Sequence, residues 1–330
     1  MNTAPSFQKV MGWRTAAIQF LVATGAGAYL IGFIFNMIFP GFTAISKIAV
    51  VLAAPVVLIG GLLTICDMGR KSQFFRVFLR PKTSWMSLGA IFLTGFIILD
   101  LIHIFTWVWP STSLAGAPHL TLGIITSIFA VLCLVYTGML LGVIKSVALW
   151  SKAFLPVLFP ISGLSMGTMA AVFVLALSKL AAGSVEVQTL EVLARLAAFN
   201  FFVIIIEAMV IGLYLGSMQT YGTAMNPARA LTHGRLAGAF WGGVVAAALV
   251  IPFISEAIKA YAAIGPVAML VLAVVSSVIG LVGGFMLRYV VVYGGTWIPL
   301  NVQGALVPPP PEEYKVKVIE RATFSTLQER

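Results

Sequence analysis

The sequence predicts an all-α membrane protein with eight transmembrane helices, and its composition and hydropathy pattern support this. Of its 330 residues, 60% are hydrophobic and only 9% are charged, whereas soluble domains carry about 25% charged residues. So few charges cannot cover a water-soluble surface. The apolar residues also fall into eight separate runs, each long enough to cross about 30 Å of hydrocarbon.

The eight predicted spans follow one another with polar connections between them. A transmembrane helix needs about 20 predominantly apolar residues. An even number of spans puts both termini on the same side of the membrane. The predicted helices are 15–39, 45–66, 86–109, 120–144, 155–179, 190–216, 236–257 and 264–288.

The segments outside the spans differ in composition. Residues 1–14 form a polar N-terminal segment, and the apolar run after it is too long for a cleaved signal peptide, so we expect it to be retained. Residues 145–154 connect the fourth and fifth spans. The tail, 289–330, contains four consecutive prolines, Pro308 to Pro311, that cannot continue a helix. It is predicted to be an extended arm, either bound to a partner or disordered.

Positive charge is concentrated on the side of the two termini, which we call the basic side. The opposite side carries only Lys47, Lys179 and Lys259 as predicted basic loop residues. Such a bias in short loops is typical of the cytoplasmic face, so we predict a multi-pass protein of the inner (cytoplasmic) membrane with cytoplasmic termini. Docking of a partner would also require basic loops. The net charge of +10 reflects this bias and does not indicate nucleic-acid binding.

Few ionisable residues lie inside the predicted spans, where each costs at least about 2.5–3.5 kcal/mol at the bilayer centre. Asp100 and His103 are three residues apart on the third span and therefore share a helix face. They form either a proton relay or quinone contact, or a polar couple that locks two helices. Glu207, on the sixth span, has no cation one turn away, which favours a functional role. Arg195, on the same span, lies near the opposite membrane surface, where arginines snorkel.

No metal centre is predicted in this chain. Cys66 and Cys133 lie in separate spans without metal-ligand spacing, which indicates neither an iron–sulfur cluster nor a disulfide. A transmembrane haem needs axial ligands inside the bilayer, yet His119 and His233 are predicted in loops and only His103 in a span. Any electrons that this chain handles must therefore come from or go to a cofactor on another subunit.

Small residues recur one turn apart in the first and fifth spans, at 24–28 and 162–167. A parallel repeat of two four-helix halves, as in some secondary transporters, would produce this pattern. Close helix packing through small residues would produce it too. Both interpretations stay open at this point.

Two blocks of residues carry a family resemblance. The first is Asp67-Met68-Gly69-Arg70, followed by Phe74 and by Ser84-Trp85-Met86. The second is Tyr136-Thr137-Gly138-Met139-Leu140-Leu141, followed by Trp150, Leu155-Pro156, Leu158-Phe159 and Ser162-Gly163-Leu164. In this order they resemble the NrfD-like family, the membrane subunits of polysulfide reductase and its relatives. The resemblance covers nearly the whole membrane region but not the tail, and it departs from the family pattern at Met68, Lys71 and Ala148.

The resemblance implies two four-helix bundles, at 15–144 and 155–288, with a menaquinone or ubiquinone headgroup held in the first. It also implies a ferredoxin-like iron–sulfur partner subunit, which commonly exchanges electrons with a molybdopterin catalytic subunit. Carried onto matching positions, the family pattern assigns to Tyr136 a hydrogen bond to a quinone carbonyl. The remaining implied quinone contacts are Asp67, Arg70 and Gln19.

The sequence therefore predicts a quinone-binding integral membrane subunit of a respiratory oxidoreductase, which is not catalytic alone. It would exchange electrons between the membrane quinone pool and an iron–sulfur partner. The candidates for its proton pathway are Asp100, His103, Glu207 and Arg195. Two alternatives remain, a secondary transporter and a membrane anchor without a quinone site; stoichiometric quinone and iron in the purified complex would distinguish them.

Overall fold

The structure is a computed structural model in which eight helical spans of 23 to 30 residues dominate. The mean hydropathy of their most apolar stretches lies between 1.8 and 2.7. By length and composition these helices are able to cross a membrane, which confirms the predicted all-α membrane protein. The described residues are 11–39, 41–68, 71–79, 81–82, 84–108, 117–144, 147, 149–150, 154–218, 227–295, 300–302 and 305–307.

Seven spans are single α-helices, and the eighth combines two helical geometries. It begins as a π-helix at Ala239–Val250 and continues without a break as α8, Ile251–Tyr261. A 3-10 helix, Lys71–Leu79, and a short helix α7, Pro227–Thr232, lie between spans. The remaining spans are α1 Trp13–Ile38, α2 Thr43–Asp67, α3 Trp85–Val108, α4 Ala117–Gly142, α5 Leu155–Ala182, α6 Val187–Gly216 and α9 Pro266–Tyr293.

Three residues that the sequence placed at membrane surfaces or in loops lie inside helices. Lys259 and Arg288 were counted with the surface charges, but α8 and α9 continue past them and both side chains are buried. His119, predicted in a loop, lies in the first turn of α4. A span predicted from hydropathy ends at the first charged residue. In the folded protein, a charged residue that is paired with another side chain can remain inside the helix.

Helices α1 and α5 form the centre of the molecule and touch each other through glycine. Of the residues in their most apolar stretches, 78% and 67% are buried, more than in any other described span. A Cβ atom on Gly27 would collide with the backbone carbonyl of Gly163, and one on Gly167 would collide with the backbone of Gly27 and Ala28. The two stretches of small residues noted in the sequence therefore pack against each other.

The other helices surround this contact. Helix α1 also packs on α2 and α4, and α3 packs on both of these. Helix α5 also packs on α6 and α9, while the π-helix and α8 fill the space beside α9 and α6. Large apolar side chains such as Ile98, Phe202 and Val282 are exposed on the outside, where lipid would cover them.

The division into two four-helix bundles stays a prediction, as does the cytoplasmic position of the basic side.

The connection between α4 and α5 is anchored on the helices of the second half. The Trp150 indole N–H donates to the carbonyl of Val291 at 2.8 Å, and the Tyr214 hydroxyl donates to the carbonyl of Leu149 at 2.7 Å. The motif tryptophan is only 2% exposed. Trp150, the motif tryptophan after the Tyr136 block, therefore has a structural role, because it anchors the connection between α4 and α5.

The tail differs from the predicted extended arm in its first part. Helix α9 continues to Tyr293, and two short antiparallel strands follow, β1 at Leu300–Val302 and β2 at Ala305–Val307. The proline run and the charged residues after it lie outside the described residues.

The glycine contact predicts that Gly27→Leu destabilises the protein. The added side chain must push α5 away from α1, and such overpacking costs about 1–3 kcal/mol. We expect a lower midpoint of thermal unfolding in detergent for the purified protein. Gly212→Leu is the matched control, because nothing lies within 4 Å of a Cβ at Gly212. Equal stability of the two variants would contradict the proposed contact.

Candidate functional site

Two of the predicted quinone contacts lie at the same depth below the basic side. Gln19 is six residues from the start of α1 at Trp13, and Tyr136 is six residues before the end of α4 at Gly142. At 1.5 Å per residue, each lies about 9 Å inside its helix. The two helices pack together, and Gly163 of α5 faces α1 at Ala23 and α4 at Leu134 near this level.

The Gln19 side chain is buried without a hydrogen-bond partner. It is 2% exposed, and neither its amide oxygen nor its amide nitrogen has a partner among the described residues. Buried polar groups are nearly always hydrogen-bonded, so an orphaned amide needs an explanation. An amide N–H in this position can donate to a carbonyl oxygen of a bound molecule.

The Tyr136 ring packs against a glycine on α3. A Cβ on Gly89 would overlap the ring, so only glycine leaves room for it there. The side chain is half-buried, and no hydrogen bond of its hydroxyl is found within the described part of the chain. The hydroxyl is therefore available as a donor at the depth of Gln19.

The remaining two predicted contacts lie at the membrane surface or outside the described chain. Asp67 is the last residue of α2, and its carboxylate is 3.5 Å from the guanidinium of Arg14 on α1. Both side chains are exposed, so this ion pair contributes little stability. Arg70 lies outside the described residues.

A second polar cluster lies near the opposite end of the first four helices. The hydroxyl of Tyr29 is 2.7 Å from Nδ1 of His103, and Nε2 of His103 is 3.2 Å from Nε2 of His119. The hydroxyl of Thr106 is 2.8 Å from Nδ1 of His119 and donates to the carbonyl of His103 at 2.6 Å. The cluster joins α1, α3 and α4.

One assignment of the protons gives each hydroxyl and ring nitrogen of this cluster a hydrogen-bond partner. Because Thr106 donates to the backbone, its oxygen accepts from Nδ1–H of His119. Nε2 of His119 then accepts from Nε2–H of His103, and Nδ1 of His103 accepts from the hydroxyl of Tyr29. The result is an uninterrupted hydrogen-bonded chain from buried Tyr29 to half-buried His119.

Asp100 lies one turn from His103 but is not hydrogen-bonded to it. Both ring nitrogens of His103 have other partners. The carboxylate is fully buried, and neither of its oxygens has a hydrogen-bond partner among the described residues. This carboxylate, like the Gln19 amide, is a buried polar group of the first half without a partner among the described residues.

In the second half, Glu207 faces a cation that the sequence pattern did not reveal. Glu207 of α6 interacts with Ser162 of α5 and with the guanidinium of Arg288 of α9. Arg288 is fully buried and donates to the Ser162 hydroxyl at 3.2 Å and to the carbonyl of Gly284 at 3.0 Å. The Arg288 partner comes from a distant helix, so spacing along one helix could not indicate it.

A buried ion pair was missed altogether. Lys259 Nζ is 2.9 Å from Glu256, and both side chains are almost completely buried. Asn200 donates to Glu256 at 3.4 Å, and Lys259 donates to Ser276 at 3.2 Å. The sequence signal was present, since Glu256 and Lys259 are three residues apart on one helix and therefore neighbours.

Arg195 lies in the third turn of α6 with a partly exposed side chain, and its snorkelling to the membrane surface stays a prediction. Its guanidinium pairs with Glu191 one turn earlier at 2.6 Å and lies over the ring of Phe39 at 4.5 Å. The side chain is 44% exposed.

The described residues contain no group of three or more His, Cys, Asp or Glu side chains that could hold a metal ion. Exposed Cys66 and buried Cys133 are both free thiols. The orphaned amide of Gln19 and the hydroxyl of Tyr136 are suited to donating hydrogen bonds to the carbonyl groups of a bound molecule.

Comparison with known proteins agrees with the motif resemblance. A family model described as "Polysulphide reductase, NrfD" matches residues 2–299. One of the subunits of polysulfide reductase from Wolinella succinogenes is 28% identical over 267 residues, which are 74% of this chain and 82% of that protein. Protein NrfD of Escherichia coli (strain K12) is 26% identical over 310 residues, 87% of this chain and 95% of that protein. The match to the family model includes all eight spans.

Proposed function

Because the chain belongs to the polysulphide reductase NrfD family, we propose that it is the quinone-binding membrane subunit of a respiratory oxidoreductase complex. It exchanges electrons between menaquinone or ubiquinone in the bilayer and an iron–sulfur partner subunit. The observation that carries this proposal is the orphaned Gln19 amide at the depth of the Tyr136 hydroxyl.

The chemistry of a quinone matches these two side chains. Each quinone carbonyl accepts hydrogen bonds and becomes more basic as the ring is reduced, so it needs a positioned donor. Gln19 and Tyr136 each provide one donor, about 9 Å below the basic surface. At that depth a headgroup can enter from the lipid while its isoprenoid chain stays in hydrocarbon.

The partner is proposed to dock on the basic side, above this site. Asp67 and Arg14 lie at that surface, and in this proposal Asp67 and Arg70 frame the quinone beneath the partner. The 3-10 helix after α2 carries Phe75 and Leu79 with 53% and 67% of their surface exposed. An apolar patch among basic residues is suited to a protein interface.

The relatives support a multi-subunit assembly. The Wolinella protein is by its name one part of a polysulfide reductase that has several polypeptides. We propose a ferredoxin-like iron–sulfur subunit as the direct partner, with a molybdopterin or other redox catalytic subunit beyond it. The protein itself has no catalytic role alone.

Protons are proposed to leave or reach the first four helices through Asp100 and His103. Tyr29 and His119 extend this route to the side opposite the quinone. Gly89, which holds Tyr136, is eleven residues from Asp100 on α3, so the two regions are about 16 Å apart along the helix. Glu207 is a separate candidate in the second half, and Arg195 would act only at the surface, where it pairs with Glu191.

Secondary transport is the less favoured function. A transporter of the repeat type typically holds its substrate at helices broken near the midplane. Each of the eight described spans is continuously helical. The repeated small residues, which suggested two similar halves, form the contact between α1 and α5.

Tyr136→Phe tests the quinone site. The variant keeps the ring that fills the space beside Gly89 but removes the donor to the quinone carbonyl. Loss of one such hydrogen bond is expected to lower quinone-linked turnover of the assembled complex at least about tenfold. Tyr261→Phe is the control, because that side chain is 66% exposed at the opposite end of α8. A Tyr136→Phe complex that assembles and keeps full turnover would remove the proposed role.

Asp100→Asn tests the proton route. The amide has the size of the carboxylate but does not carry the proton, so we expect kcat to fall at least about tenfold while the KM for quinone is unchanged. His233→Gln, in the described loop after α7, serves as the control. Unchanged kcat in Asp100→Asn, with normal assembly, would show that the carboxylate lies off the route.

A further inference from the structure

The two histidines of the opposite cluster bring their Nε2 atoms together. His103 of α3 and His119 of α4 have their Nε2 atoms 3.2 Å apart and their ring centroids 4.4 Å apart. Helices α3 and α4 follow one another in the chain, so the two histidines link them near the connection between them. His103 is almost fully buried, while His119 is half-buried and reachable from the aqueous side.

A second arrangement of the protons frees both Nε2 atoms to bind a cation. Thr106 donates its only proton to the carbonyl of His103, so Nδ1–H of His119 donates to Thr106 and its Nε2 carries a lone pair. Tyr29 lies 3.4 Å from the carbonyl of Gly123 as well as 2.7 Å from His103. When its proton turns to Gly123, Nδ1–H of His103 donates to Tyr29, and Nε2 of His103 then carries a lone pair as well.

The distance between the Nε2 atoms of His103 and His119 fits the binding of one metal ion. Imidazole nitrogens bind Zn²⁺ at about 2.0–2.1 Å, and two such ligands at a tetrahedral angle are about 3.3 Å apart. We propose that His103 and His119 form a binding site for a divalent transition-metal ion of the Zn²⁺ class, with water in the remaining positions. Tyr29 and Thr106 then act as the outer partners that fix the tautomer and orientation of each ring.

Two further features fit an exchangeable ion. The described residues supply no third His, Cys, Asp or Glu ligand beside the pair, and half-buried His119 leaves room for water in the remaining positions. The orphaned carboxylate of Asp100 lies one turn from His103 and is fully buried. Ionisation of this carboxyl group becomes more favourable when a cation binds nearby, because the two opposite charges attract each other.

A bound ion has two consequences. It links α3 to α4 and so stabilises the folded protein by mass action. It also takes the lone pair through which His103 and His119 exchange a proton, and this second consequence rests on the proposed proton route. Zn²⁺ would then inhibit turnover from the side opposite the quinone site.

Zn²⁺ binding to the resting complex tests the site without any turnover. The complex is treated with a chelator, transferred to chelator-free buffer and titrated with Zn²⁺ by calorimetry, and its thermal unfolding is recorded with and without the ion. We expect one more Zn²⁺ per chain in the wild type than in His119→Gln, and a rise in the unfolding temperature that His119→Gln lacks. His233→Gln, with an exposed histidine bonded to Thr232, is expected to behave as wild type.

Thr106→Val is a second test that keeps both histidines, so it remains informative if a histidine variant does not assemble. Loss of the outer partner of His119 is expected to weaken Zn²⁺ binding about 10–100-fold while the ligands remain. Equal Zn²⁺ stoichiometry and affinity in wild type, His119→Gln and Thr106→Val would overturn the proposal and leave the histidines as a plain hydrogen-bonded pair. Because quinone takes no part, this result would not bear on the quinone site.

Discussion

The backbone contact between α1 and α5 is the constraint on which the rest of the molecule depends. Gly27, Gly163 and Gly167 let the two most buried helices touch without intervening side chains. In lipid, helix association relies on such close packing, because exclusion of water supplies little driving force there. Each of these helices then carries its own neighbours, α2 and α4 on one side and α6 and α9 on the other.

This contact also fixes the walls of the candidate quinone site. The first part of α5 packs on α4, where a Cβ on Gly138 would approach the backbone of Leu155 and Pro156. Gly163 of the same helix faces Ala23 of α1 and Leu134 of α4. Helix α5 therefore holds the two helices that carry Gln19 and Tyr136 at a fixed relative height. This explains in physical terms why the second motif block contains glycine, proline and small residues around Tyr136.

The buried charged groups of the two halves differ in their partners. In the second half, Lys259 is paired with Glu256, and Arg288 donates to Ser162 and is attracted by the charge of Glu207, so the cost of burying these charges is partly offset. In the first half, the Gln19 amide and the Asp100 carboxylate are buried with no partner among the described residues. Groups left unsatisfied in this way are expected where a ligand or a proton is exchanged.

The sequence was sufficient to locate the helices. It was not sufficient to identify the polar side chains that meet between them. Hydropathy located all eight spans because lipid requires long apolar runs, yet it ended two of them near charges that the folded chain pairs internally, at Lys259 and Arg288. Asp100 and His103 were recognised from their spacing on one helix. Their surroundings, Tyr29 and His119, come from other helices and have no local signal. The equal depth of Gln19 and Tyr136 likewise depends on how α1 and α4 pack.

The most direct test of the account is to locate the quinone on the protein. A photoreactive azidoquinone is bound to the intact complex, cross-linked by light, and the labelled peptides are identified by mass spectrometry. The account predicts label on the peptides of α1 and α4 that contain Gln19 and Tyr136, and its loss when excess natural quinone is present. Saturable label confined to α6, α8 or α9, or label that excess quinone does not displace, would contradict it.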